Sequence, residues 1–79
     1  MLKYLVGLDT GTYSIVSPYM VVHAKTREKA AAKYEKELNL VPGSGHVMAL
    51  MTLFGPFNLD PVCTYGQCVK ALKSAKELK

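Results

Sequence analysis

Tryptophan is absent from the 79 residues, and cysteine and histidine occur only twice each. Each scarcity closes off a kind of chemistry. Two thiols and two imidazoles are the whole supply of soft metal ligands, and a structural zinc site needs four ligands gathered at one point. Carboxylates are equally few. Asp9 and Asp60 are the only aspartates, and the four glutamates lie among lysines. Sites that hold catalytic divalent metal need several carboxylates together. Long apolar runs are missing too: the longest, "VMALMTLF" from Val47 to Phe54, is far short of the roughly 20 residues that cross a bilayer. The run from Tyr4 to Leu8 is too short for the apolar segment of a signal peptide. No membrane partner is expected, the expected location is cytoplasmic, and both thiols are expected to be reduced.

What is present suffices for one core. Apolar residues make up 49% of the chain, including five Tyr and two Phe, which is too rich for a disordered tail and too short for more than a single domain spanning 1–79. The formal charge of +4 is unevenly placed. Residues 1–61 nearly balance, whereas residues 62–79 hold four lysines against Glu77 alone.

"LKYLVGL", 2–8, predicts a first strand ending at an Asp-x-Gly turn signal, and "YMVVHA", 19–24, a second that begins as early as Tyr13. Thr26 is placed to cap a helix with Glu28 in its first turn. Ala30, Ala31, Tyr34 and Leu38 recur on one apolar stripe of that helix. "HVMALMTLF", 46–54, is apolar on both alternating faces and predicts a third strand covered on two sides. At the edge of a sheet such a strand would invite pairing with a second copy, so a homodimer is a further expectation. "GPFNLDP", 55–61, reads as loop. The last 15 or so residues read as a second helix, with Tyr65, Cys68, Val69, Leu72, Ala75 and Leu78 facing inward. The expected fold is α+β, ββαβα, a three-stranded sheet with two helices packed on it.

"LVGLDTGT" looks like the strand and turn of a retroviral-type aspartyl protease, and "GLDTGTYS" resembles the first strand-turn of the actin and sugar-kinase superfamily and of ribonuclease H-like nucleases. The first is almost all β and longer than this chain; the others need further acidic residues and greater length. Asp9 and Gly11 therefore read as turn formers, Asp bonding the backbone two residues on and Gly tolerating positive φ. In "CTYGQC", 63–68, a helix beginning at Pro61 would set the two thiols about 140° apart. One capped by Thr64 with Gln67 closing a capping box puts Cys63 and Cys68 at the touching positions of a hydrophobic staple. His23 and His46 fall at opposite ends of the sheet. No catalytic, cofactor-binding or metal-binding residue is assigned, and no cofactor is expected.

"YMVVHAKTREKAAAKYEKEL" resembles a pattern common in very small phage and mobile-element accessory proteins: a strand ending V-x-A, a capping residue, then an Ala- and Glu/Lys-rich helix with an inward Tyr. The resemblance covers about twenty residues and transfers no site residue. It implies a small stand-alone domain acting on a host protein, in the host cytoplasm if phage-encoded. The expected function is a non-enzymatic protein-binding modulator or inhibitor whose contact surface includes Phe57, Leu59 and Val62 of the loop and Ile15, Val16 and Tyr19 of an open sheet edge. The alternative is a basic nucleic-acid-binding module using Lys70, Lys73 and Lys76, which ranks below a protein partner because no RNA-binding aromatic signature or phosphate loop accompanies the lysines.

Overall fold

The computed structural model describes residues 1–12 and 14–79. Tyr13, the earliest expected start of the second strand, lies outside them. Strands β1 (Leu2–Asp9) and β2 (Ile15–Ala24) are followed by helix α1 (Arg27–Glu37), strands β3 (Gly45–Thr52) and β4 (Gly55–Phe57), helix α2 (Tyr65–Leu72) and strand β5 (Lys76–Leu78). The fold is α+β, with one five-stranded mixed sheet in the order β4-β3-β1-β2-β5. The expected three strands occupy its centre, β1 antiparallel to both neighbours, and the two additional strands flank them.

Both additions correct the sequence reading. Residues 55–57, expected as loop, turn back on β3 because Gly55 adopts φ +105, closed to most side chains. Thr52 Oγ1 fastens that turn by donating to Gly55 O and accepting from Phe54 N. The second helix, expected to run to the end of the chain, stops at Leu72, where successive N–H groups of Lys73, Ser74 and Ala75 bond three residues back and tighten the last turn. Lys76–Leu78 then pairs in parallel with Met20–Val22. That strand buries part of Leu78 against the α1 side of the sheet.

The two helices cover opposite faces. Tyr4, Val6, Met20, Val22 and Val47 pack against Ala30 and Tyr34 of α1; Leu5, Met48 and Ala49 pack against Cys63 and the α2 residues Cys68 and Ala71. Alternation along β1 and β2 produces this division directly. On β3 the register slips between Leu5 and Val6 of β1, and the resulting bulge lets the consecutive residues Met48 and Ala49 serve the same cluster. The apolar character of β3 on both faces is thus accounted for by two helices. Its outer edge is paired with β4 over Leu50–Thr52, and Met48 O accepts from Asp60 N.

Capping follows the sequence. Thr26 Oγ1 accepts from Lys29 N at 3.1 Å, and Thr64 and Gln67 exchange both bonds of a capping box, 2.8 and 3.2 Å. The helix start at Pro61 is thereby excluded; Asp60 instead accepts from Val62 N. Of the expected inward residues of α2, Cys68 is buried and Leu72 and Ala75 are half-buried, while Tyr65 and Val69 are exposed because eight residues cover only part of the sheet. Thr64→Ala is expected to cost about 1 kcal/mol, read as a thermal midpoint lowered by roughly 4–8 °C.

Candidate interaction surfaces

The Asp-Thr-Gly stretch is a turn. Gly11, at φ +81, donates its N–H to Asp9 Oδ1 at 2.7 Å, and Thr10 N bonds Ser14 O. The other carboxylate of that end arrives from the loop before α2. His46 stands between the two: its Nδ1 is 3.5 Å from Asp9 Oδ2 and its Nε2 is 2.8 Å from Asp60 Oδ2. Nε2 is buried and the contact lies off the N–H direction, so it is an ion-pair approach without an aligned hydrogen bond. Burial alone would raise the Asp60 carboxyl; the Val62 N–H, the His46 ring and Arg27 outweigh it and hold the group below its usual range. Its contribution to stability is therefore present at neutral pH and lost as the pH falls through the acidic range.

This grouping joins residues that the sequence reading left separate, Asp9 as a turn former and His46 as the start of the third strand. The antiparallel register of β1 and β3 brings Asp9 beside His46, and a register of that kind is not legible in the sequence. Chemically the group ties the 58–63 segment to the sheet. The carboxylates approach from the two ring nitrogens, on different sides of the ring, and no three His, Cys, Asp or Glu side chains among the described residues converge to hold a metal ion. No hydroxyl or thiol among the described residues hydrogen-bonds to His46. His23 lies at the far end, where its Nε2 meets Glu77 Oε2 at 2.6 Å and joins β2 to β5.

Both cysteines are free and buried. Burial first, then the neighbouring Cys68 and Asp60, pushes the Cys63 thiol up to about 11. Burial raises Cys68 as well. A nucleophilic thiol needs the opposite shift, so the pair forms the packing staple before α2.

The six residues expected to form an interface divide among four places. Ile15, Tyr19 and Val62 converge on an open groove of about 450 Å³ between β2 and α2, whose lining also includes Met48 and Ala71. Ser14, Ser17, Gln67 and Lys70 supply its polar lining. Leu59 packs partly into the core beside α2, and Val16 is half-buried on β2 opposite Leu8. Phe57 stands apart on the edge strand β4 opposite Leu50. The stretch of β2 from Ile15 to Tyr19 lies beyond the reach of β5, yet it is not an open ladder. Ile15 O accepts from Tyr19 Oη and Pro18 O from Tyr34 Oη, and Pro18 has no N–H to offer.

The lysines of the alternative reading do not form one surface. Lys70 lies on α2 and Lys73 caps it, whereas Lys76 pairs with Met20, whose side chain faces α1, and shares a hollow with Glu37 and Leu38 at the end of that helix.

The most exposed apolar residues were placed inside the third strand by their sequence pattern. Leu53 (100%) and Phe54 (93%) form the turn between β3 and β4, with Phe57 (64%) just beyond. The one sequence signal that could have separated them is Gly55, which marks the turn. No protein-family model, curated protein or solved structure matches this chain.

Proposed function

We propose that the protein is a small non-enzymatic binding module that modulates a partner protein by receiving a segment of it in the groove between β2 and α2. The observation that carries this reading is the convergence of Ile15, Tyr19 and Val62 over an apolar floor, with hydroxyls, an amide and one ammonium among the lining groups. Pockets that hold ligands combine these features, an apolar body with a few placed polar groups. Recognition there proceeds through side chains and not by addition of a strand, since the neighbouring carbonyls already accept tyrosine hydroxyls. The resemblance to phage accessory proteins makes a host protein in the host cytoplasm the expected partner.

Val62→Glu and Lys70→Glu alter the groove at exposed positions. Captured from host lysate, the partner is expected to be retained by the wild-type chain and lost by both variants at unchanged thermal midpoint. Equal capture by all three would end the reading. Nucleic-acid binding through Lys70, Lys73 and Lys76 would instead show as a DNA or RNA mobility shift that weakens steeply with salt.

A further inference from the structure

The turn at Leu53 and Phe54 stands at the end of the sheet away from Asp9 and His46. Strand register fixes what surrounds it. Lys3 pairs with Met51, one residue before Thr52, and Leu2 pairs with Ala24, which places Lys25 just beyond. Neighbouring strands lie about 4.8 Å apart, so the turn and Lys25 are separated by roughly two such spacings. Met1, Leu2 and Lys3 share one hollow with Leu53, and Met1 shares another with Lys25, Lys29 and Lys33. Lys79 follows Leu78, the partner of Val22. Five lysines, Lys3, Lys25, Lys29, Lys33 and Lys79, therefore gather at this end against Glu28 and Glu77. None of the five has a carboxylate within 4.0 Å among the described residues.

The opposite end is close to balanced, with Asp9, Asp60, Glu35 and Glu37 set against Lys36, Lys70, Lys73 and Lys76. Asp9 and Asp60 meet at His46, and Glu35 accepts from the N–H groups of Gly43 and Gly45, at the start of β3. The excess positive charge and the exposed apolar turn thus share one end of the strands.

We infer that this end of the sheet docks on an anionic lipid membrane, Leu53 and Phe54 entering the interfacial layer and the lysines resting among the headgroups. A two-residue turn is convex and small. Stable protein interfaces bury roughly 800 Å² on each partner, well beyond the roughly 150–250 Å² of one aromatic side chain even with a leucine added to it. A fluid bilayer needs no preformed socket, and apolar insertion adds to attraction between lysines and anionic headgroups. The expectation of no membrane partner rested on the length of the apolar runs, which bears on spanning a bilayer; lying on its surface requires only a tip. The groove between β2 and α2 is nearer the other end, so the two surfaces are separable.

Sedimentation with lipid vesicles tests the inference. The wild-type chain is expected to partition onto vesicles of phosphatidylcholine with one-third phosphatidylglycerol, and far less onto phosphatidylcholine alone or at high salt. The double variant Leu53→Ser with Phe54→Ser is expected to lose at least about tenfold, and Lys25→Gln and Lys29→Gln about fivefold each. Lys36→Gln, at the far end of α1, should change nothing. Because the chain has no tryptophan, Phe54→Trp supplies a single reporter whose emission should shift to the blue on anionic vesicles. Absence of wild-type partitioning onto anionic vesicles overturns the inference. So does undiminished partitioning of the double serine variant, which would leave attraction without insertion. A lysate protein retained by the wild type and lost by that variant, with neither bound to vesicles, would assign the turn to a protein contact instead.

Discussion

Replacing Tyr34 by alanine is expected to cost about 3–5 kcal/mol, a large share of the roughly 4–12 kcal/mol available to a domain of this length. Tyr34 is the largest of the fully buried side chains and sits where α1 meets β1, β2 and β3. Its hydroxyl donates to Pro18 O at 2.7 Å. Its ring lies so close to Gly45 that a Cβ there would stand 2.8 Å from Cδ1, so any larger residue at that point would have to displace the Tyr34 ring. Truncation leaves a cavity that these neighbours cannot close and strips the β2 edge of its donor. Tyr34→Phe isolates the hydrogen bond and is expected to cost about 1 kcal/mol.

The same side chain sets an alkaline limit. Burial, and secondarily Tyr19, pushes the Tyr34 phenol up to about 12 from an ordinary 10.0. The unfolded chain therefore ionises first. Stability from this group is complete below pH 10 and declines as the pH rises from 10 to about 12. Urea denaturation at a series of pH values should show that decline in the wild type and a shallower one in Tyr34→Phe. Equal slopes would mean that other groups govern the alkaline limit.

Alkylation of the native protein is expected to be at least about a hundredfold slower at Cys63 than at a free thiol. Raising the group from 9.0 to about 11 leaves about a hundredth of the thiolate at neutral pH, and burial further restricts access. Cys68 is protected by burial in the same cluster. Mass spectrometry after timed exposure to iodoacetamide reads both sites. Both should remain unmodified in buffer and react together in denaturant. Rapid native labelling of Cys63 would show an exposed, activated thiol and would break the staple assignment.

Legibility from sequence followed the length and regularity of each element. β1 and β2 carry alternation, and α1 carries a stripe of Ala30, Tyr34 and Leu38 with Thr26 as its cap; each extends over enough residues for the pattern to accumulate. The start of α2 was legible for a different reason: Thr64 and Gln67 have the spacing of a capping box and stand before an apolar helical stripe. β4 and β5 have three residues each, too few for any period, and "KEL" has the composition of a helix end. They form because β3 and β2 offer them unpaired ladder groups, a property of the assembled sheet. The turn at Leu53 and Phe54 was obscured by the apolar run it interrupts. Sheet register, which no local pattern encodes, decided the remainder: the meeting of Asp9 with His46 and the separation of Lys76 from Lys70.

The excess of Lys3, Lys25, Lys29, Lys33 and Lys79 over Glu28 and Glu77 at one end of the strands, against a near balance at the other, makes the net charge of the molecule lopsided along its length. An external field exerts a torque on such a body before any contact is made. Any strongly negative object would turn it tip-first during approach, so dissolved ions would act first on how often productive encounters occur.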